Sequence, residues 1–133
     1  MIVLDTHTWV WWRAASRRLS RAAAREVDRA SSIGISTMSL WEVTRLERAG
    51  RMTLDRGLSR WLPAALADDR IEVLPVSREI ALTAAAVGGE VYDPTDQIIF
   101  ATAVENDALL VSRDQRLHDL DPARLVWWEP SRL

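Results

Sequence analysis

Five short apolar runs punctuate the chain: IVL at 2–4, IGIS at 33–36, IEVLPV at 71–76, ALLVS at 108–112 and LVWW at 125–128. Continuous apolar runs of this length predict strands of a parallel sheet covered on both faces. Longer stretches rich in Ala, Leu, Glu and Arg separate them, at 20–30, 39–49, 58–67, 77–87 and 94–106, and each predicts a helix. A first helix begins among Trp9, Trp11 and Trp12, with Trp9 and Trp12 on one face and Trp11 on another. The alternation predicts an α/β fold, a central parallel sheet of about five strands flanked by helices in three layers. Gly50 and Gly57 punctuate helix ends, and Gly88-Gly89 marks a flexible turn before EVYDPTD. With no repeat, low-complexity segment or linker, residues 1–133 are expected to form a single domain.

The polar residues that end these apolar runs change the picture. Asp5 follows IVL directly, and open α/β sheets bind ligands outside the carboxyl ends of their strands. Glu42 follows the second run in STMSLWEV, Asp114 follows the fourth in VSRDQRL, and Asp93 and Asp96 bracket a helix start at Pro94. A helix in such a unit runs antiparallel to its strands, so its N-terminus lies on the edge where the strands end. All five carboxylates are therefore expected on one edge, although they are spread from residue 5 to residue 114.

Each acid also has a structural reading. Ser39-Leu-Trp-Glu42 has the form of a capping box. Asp93-Pro94-Thr95-Asp96 is a helix start, with Asp as cap, Pro first and an acid in the first turn. Asp114 suits the positive end of the helix that follows it, and Asp5 suits a turn or a cap. Convergence is what favours chemistry, because four or five carboxylates on one edge repel one another unless cations balance them. An oxygen-rich site of this kind suits Mg²⁺ or Mn²⁺.

Composition narrows the classes. The absence of cysteine excludes disulfides, thiolate metal sites and cysteine nucleophiles. No apolar run approaches a membrane span and no leader precedes Asp5, so a cytoplasmic protein with no membrane partner is expected. All 17 basic residues are arginine. Residues 1–66 hold 11 of them against 6 acids, and residues 67–133 hold 6 against 13. A basic half suited to phosphates thus joins an acidic half suited to cations. Arg13, Arg17 and Arg18, with Arg21 and Arg25 behind them, form a corner suited to a phosphate backbone; the tryptophans beside them are expected to pack in the core or between subunits, with base stacking as the alternative.

IVLDTHTWVWW, SLWEV, DPTDQIIFATA and LLVSRDQRL together resemble, in order and spacing, the four acidic motifs of PIN-domain ribonucleases, and above all the VapC-type toxins of bacterial toxin–antitoxin pairs. The resemblance runs from Ile2 to Trp128. It implies a PIN-like fold, divalent-metal-dependent endoribonuclease activity, a cognate antitoxin, and a homodimer or a higher toxin–antitoxin assembly. By position it implies Asp5, Glu42, Asp96 and Asp114 as metal-binding and catalytic acids, with Asp93 and His7 in the outer shell. Relatives often carry a histidine before the Asp-Pro and an arginine after the second Asp, where this chain has Val91-Tyr92 and Gln97.

The expected reaction is hydrolysis of an RNA phosphodiester by metal-activated water. Haloacid-dehalogenase-like phosphatases and receiver domains also place Asp at strand ends, but as families they need a lysine that this chain lacks. A P-loop fails for want of both its glycines and its lysine. The alternative from another class is a catalytically weak PIN-like module that binds an antitoxin or RNA.

Overall fold

The computed structural model describes residues 1–88 and 90–127. Among these residues five strands, β1 (Ile2–Leu4), β2 (Ile33–Ser36), β3 (Ile71–Leu74), β4 (Leu109–Val111) and β5 (Leu125–Val126), pair in parallel in the order β3-β2-β1-β4-β5. The expected sheet is therefore present. Of the expected strand at 125–128 the first two residues pair, while Trp128, like Gly89, lies outside the described residues.

Strand β1 is central, with Ile2 and Leu4 opposite Ile33 and Ile35 on one side and opposite Leu109 and Val111 on the other. All three of its residues are buried, which is why its sequence reads as an uninterrupted apolar run. Successive side chains of a strand point to opposite faces. Accordingly, Ile2, Leu4, Ile33 and Ile35 pack on one face with Trp9, Val27, Val43 and Trp61, and Val3 and Leu110 pack on the other with Ile99, Phe100 and Leu117.

Among the described residues, seven helices cover these faces: α1 (Thr6–Arg13), α2 (Arg21–Arg29), α3 (Thr37–Arg48), α4 (Leu58–Ala65), α5 (Arg78–Ala85), α6 (Pro94–Glu105) and α7 (Gln115–Leu120). Trp9 of α1 is fully buried, its ring centroid 5.0 Å from that of Trp61, and its Nε1 donates to the Ala65 carbonyl at 3.1 Å. A tryptophan buried with its N–H satisfied contributes its whole apolar area to the core without a desolvation penalty. Arg70 closes the same layer: its Nη1 donates to the Val27 and Ala30 carbonyls at the end of α2. Among the described residues, no helix is long and apolar enough to cross a membrane.

One sequence expectation is corrected. The helix expected at 39–49 starts at Thr37, and its cap is Ser36, the last residue of β2, whose side chain accepts from Met38 N at 3.1 Å. Ser39 is already inside the first turn and fully buried, so Ser39 and Glu42 form no capping box. Strand passes into helix without a loop, and one serine serves as the end of the first and the cap of the second.

The chain lays β1, β2 and β3 outward to one side and then crosses back through α5 and α6 to place β4 on the other side of β1. Strand order reverses beside β1. The carboxyl ends of β1 and β4 consequently flank the crevice in which α/β sheets hold ligands.

Candidate functional site

A cleft of about 500 Å³ opens at that crevice. Its walls hold Asp5, Glu42, Asp93, Asp96 and Asp114, so the structure brings together all five acids singled out in the sequence. Each arrives by a different local device. Asp5 ends β1 and caps α1, with Oδ1 accepting from Thr8 N at 2.9 Å, while its own backbone N donates to the Val111 carbonyl of β4. Glu42 projects from α3 one and a half turns beyond the cap. Asp93 caps α6 by accepting from Thr95 N at 2.8 Å, and Asp96 stands in the first turn of that helix. Asp114 caps α7 by accepting from Arg116 N at 2.9 Å. Capping and convergence are thus not alternatives: three of the acids cap helices whose N-termini all face the cleft, and a cap uses only part of a carboxylate's accepting capacity.

The electrostatics separate these acids. Burial pushes the Asp96 carboxyl up to about 7, and repulsion from Asp93, Asp114, Glu42 and Asp5 adds to it. Glu42 is raised as well, first by burial, with the Thr6 hydroxyl and the charge of His7 opposing. Asp114 shifts the other way because the Arg116 side chain bonds to it, Nε to Oδ1 at 3.1 Å and Nη2 to Oδ2 at 2.7 Å. Nη2 of Arg116 also lies 3.5 Å from Oδ2 of Asp96, so one guanidinium bridges the two acids. Among the described residues, no three carboxylate or imidazole groups are drawn together around one point.

The donor set nevertheless fits a hard divalent cation. It consists of carboxylate oxygens from four elements, and two of its members are raised in pKa, by burial first and by neighbouring negative charge second. His7 is exposed on the rim with its ring 5.7 Å from that of Trp11, and both line the cleft.

The arginines that line the cleft come from other parts of the chain than the first helix and the turn after it. Arg13 lies at the far end of α1 from Asp5, stacked 4.8 Å from the Trp12 ring centroid and donating to the Ala64 carbonyl at 3.3 Å. Arg17 and Arg18 are exposed in the turn that follows, and none of the three lines the cleft. Arg45, Arg51, Arg113 and Arg116 line it instead. Two of them had a sequence signal: Arg45 stands three residues after Glu42 on the same helix, hence on the same face, and Arg116 is two residues beyond Asp114. Of the three tryptophans of α1 only Trp11 reaches the cleft, where it also packs 5.8 Å from Trp127. Gln97, in the place where relatives often carry arginine, donates from Nε2 to the Val91 carbonyl at 2.8 Å and fixes the approach to α6.

Comparison with known proteins points to one family and one fold. The family described as the PIN domain matches residues 2–122. Ribonuclease VapC22 of Mycobacterium tuberculosis is 31% identical over 117 residues, which is 87% of this chain and 88% of that protein. Among solved structures, a toxin–antitoxin complex from Klebsiella pneumoniae superposes with a TM-score of 0.68 at 19% identity, covering 97% of this chain and 99% of that one. The sarcin–ricin loop cleaving toxin VapC20 of Mycobacterium tuberculosis superposes at 0.65 with 20% identity, covering 98% and 100%. FitAcB from Neisseria gonorrhoeae superposes at 0.64 with 21% identity over the full length of both chains.

Proposed function

We propose that this chain, which belongs to the PIN-domain family and has a VapC-type ribonuclease among its relatives, is a divalent-cation-dependent endoribonuclease acting as the toxin of a toxin–antitoxin pair. The observation that carries the reading is the cleft in which Asp5, Glu42, Asp96 and Asp114 meet from four separate elements. These four would hold Mg²⁺ or Mn²⁺, with Asp93 and His7 in the outer shell. The cation, when bound, lowers the pKa of a water and neutralises charge developing on the phosphate and the leaving oxygen.

The chain's own groups do the rest. The Thr8 amide fixes the rotamer of Asp5, and burial of Asp96 keeps its carboxylate poorly hydrated and avid for positive charge. Arg45, Arg51 and Arg113 along the same walls favour a polyanion over a free sugar or a neutral ligand. Trp11 offers an aromatic face within the cleft on which an unpaired base can lie. RNA phosphodiester hydrolysis uses all of these features together.

An antitoxin and a second copy of the chain are the proposed protein partners. Trp41 is 51% exposed on α3, with the Arg45 guanidinium over its ring. Separately, a groove between the end of α3 and α4 is lined by Glu47, Arg48, Leu58, Leu62 and Pro63. Exposed apolar surface rimmed by charge suits a protein contact.

The test is cleavage of total RNA by the purified chain with EDTA, and with EDTA followed by excess Mg²⁺ or Mn²⁺. Loss and rescue are expected, and Asp5→Asn or Asp96→Asn should stay folded while losing both cation binding and cutting. Undiminished cutting in EDTA, or by both variants, overturns the proposal. A second reading, a catalytically weak module that binds antitoxin or RNA, draws on the Arg116 bridge already occupying Asp96 and Asp114. Saturable binding of Mn²⁺ without any cutting of RNA would select it.

A further inference from the structure

We propose that Arg116 is a built-in counter-ion of the acid cleft, which a divalent cation must displace, so that this one arginine sets the cation affinity of the site. The inference rests on the reading that Asp5, Glu42, Asp96 and Asp114 hold such a cation.

Three observations carry it. First, the guanidinium fork takes both oxygens of Asp114 and its Nη2 also faces Asp96, so it engages two of the four acids at once. A cation drawing on those oxygens would stand beside a like charge within a few ångströms, in a partly desolvated cleft where such repulsion is strong. The two cannot share the site at full strength. Among the described residues, no other arginine lining the cleft is ion-paired with its acids.

Second, the guanidinium can leave without disturbing the core. The Arg116 side chain is 45% exposed, against 23% for Asp96 and 21% for Asp114, so it reaches the acids from the solvent side. The bond from Arg116 backbone N to Asp114 Oδ1 is independent of the side chain and keeps Asp114 in place as the cap of α7.

Third, there is a second place for it to go. Arg116 also borders a neighbouring cavity of about 310 Å³ that carries Glu90 and Asp119 on its walls. The arginine thus stands between two acidic environments, and displacement from one exchanges partners instead of stranding a charge.

The experiment is calorimetric titration of Mn²⁺ into the metal-stripped full chain, with thermal midpoints in EDTA, for wild type, Arg116→Gln and Arg116→Lys. Arg116→Gln should bind Mn²⁺ about three- to tenfold more tightly, the free energy of a charge-assisted pair no longer being surrendered on binding. Its midpoint in EDTA should be lower than that of wild type. Arg116→Lys should fall between the two, because an ammonium cannot make the fork. Unchanged affinity with a lowered midpoint would reduce Arg116 to a pin for α7 and overturn the proposal alone. Weaker binding would make it a preorganiser of the ligands and likewise overturn it. No Mn²⁺ binding by any of the three chains would overturn the proposal together with the reading on which it rests.

Discussion

Thr6 Oγ1 donates to Ser39 Oγ across 3.1 Å, with both residues closed off from solvent. This bond joins the first turn of α1 to the first turn of α3, one residue beyond Asp5 and three before Glu42. It therefore ties the acid at the end of β1 to the acid on α3. Thr6→Val keeps the shape and leaves a buried hydroxyl without its partner, which should cost about 1–3 kcal/mol. Ser39→Ala should cost less, since the Thr6 hydroxyl also faces Glu42. The double variant should be less destabilised than the sum of the two, read from denaturant midpoints at unchanged slope. Strict additivity would mean that the two hydroxyls act separately.

Asp96 makes stability depend on pH. Its carboxyl titrates at about 7 in the folded chain, against an ordinary value of about 3.9 in an unfolded one. A group whose folded pKa is raised stabilises the fold fully below its unfolded pKa, and that contribution is lost as pH rises through the folded pKa. In EDTA the wild-type midpoint should therefore fall between pH 5 and pH 8. Asp114, held low by Arg116, loses its contribution only under acid conditions and adds no slope in that window. Asp96→Asn should flatten the fall and be more stable than wild type at pH 8 by roughly 1–3 kcal/mol, allowing for partial exposure. Equal slopes for the two chains would exclude Asp96 as the titrating group.

Asp5 and Asp114 were legible because each closely follows a short apolar strand, and Asp93 and Asp96 because they flank the helix start at Pro94. IVL and IGIS coincide with β1 and β2, since strands covered on both faces show no alternation to confuse their limits. The start of α3 was not legible. Ser36 belongs to both strand and cap, so the later serine in Ser39-Leu-Trp-Glu42 imitates a helix start that the backbone has already made. The arginines of the cleft were illegible for a different reason. Arg13, Arg17 and Arg18 lie near Asp5 in sequence, but Arg13 ends α1, Arg17 and Arg18 follow it, and none of the three lines the cleft. Arg51 and Arg113 come from loops whose course only the packed chain defines. Local pattern reveals which strand end an acid occupies, and it says little about which distant side chain leans over it.

Trp41 and Trp61 should behave oppositely on truncation. Trp61 is 6% exposed and packed on Trp9, whereas Trp41 is 51% exposed. Trp61→Ala should cost about 3–5 kcal/mol of stability through the cavity it leaves. Trp41→Ala should change stability by less than about 0.5 kcal/mol. If α3 contacts the antitoxin, the same variant should weaken that complex by about 2 kcal/mol or more, as aromatic anchors do. Unaltered antitoxin affinity in Trp41→Ala would remove this face of α3 from the interface.

The two histidines decide the chemistry of the cut ends. A ribonuclease that uses the 2′-hydroxyl as nucleophile needs a general base and a general acid within hydrogen-bond reach of one scissile phosphate. His7 lines the cleft, but His118 Nε2 is spent on the Ser112 carbonyl at 2.7 Å, and His118 is not among the cleft residues. Its backbone N–H is likewise engaged, by the Asp114 carbonyl. The chain has no lysine to take over either role. A hydrolytic route that leaves the 2′-hydroxyl idle fits such a cleft better, and it ends in a 5′-phosphate and a 3′-hydroxyl. A single 2′-deoxy substitution at the scissile nucleotide should then still permit cutting. His7→Ala, lacking only a rim group that faces Glu42, should slow cutting by about tenfold or less and leave the product ends unchanged. End-group analysis of the wild-type and His7→Ala products checks both statements. Cyclic phosphates made by the wild-type chain in EDTA, and lost in His7→Ala, would sink the carboxylate mechanism and install His7 as the base.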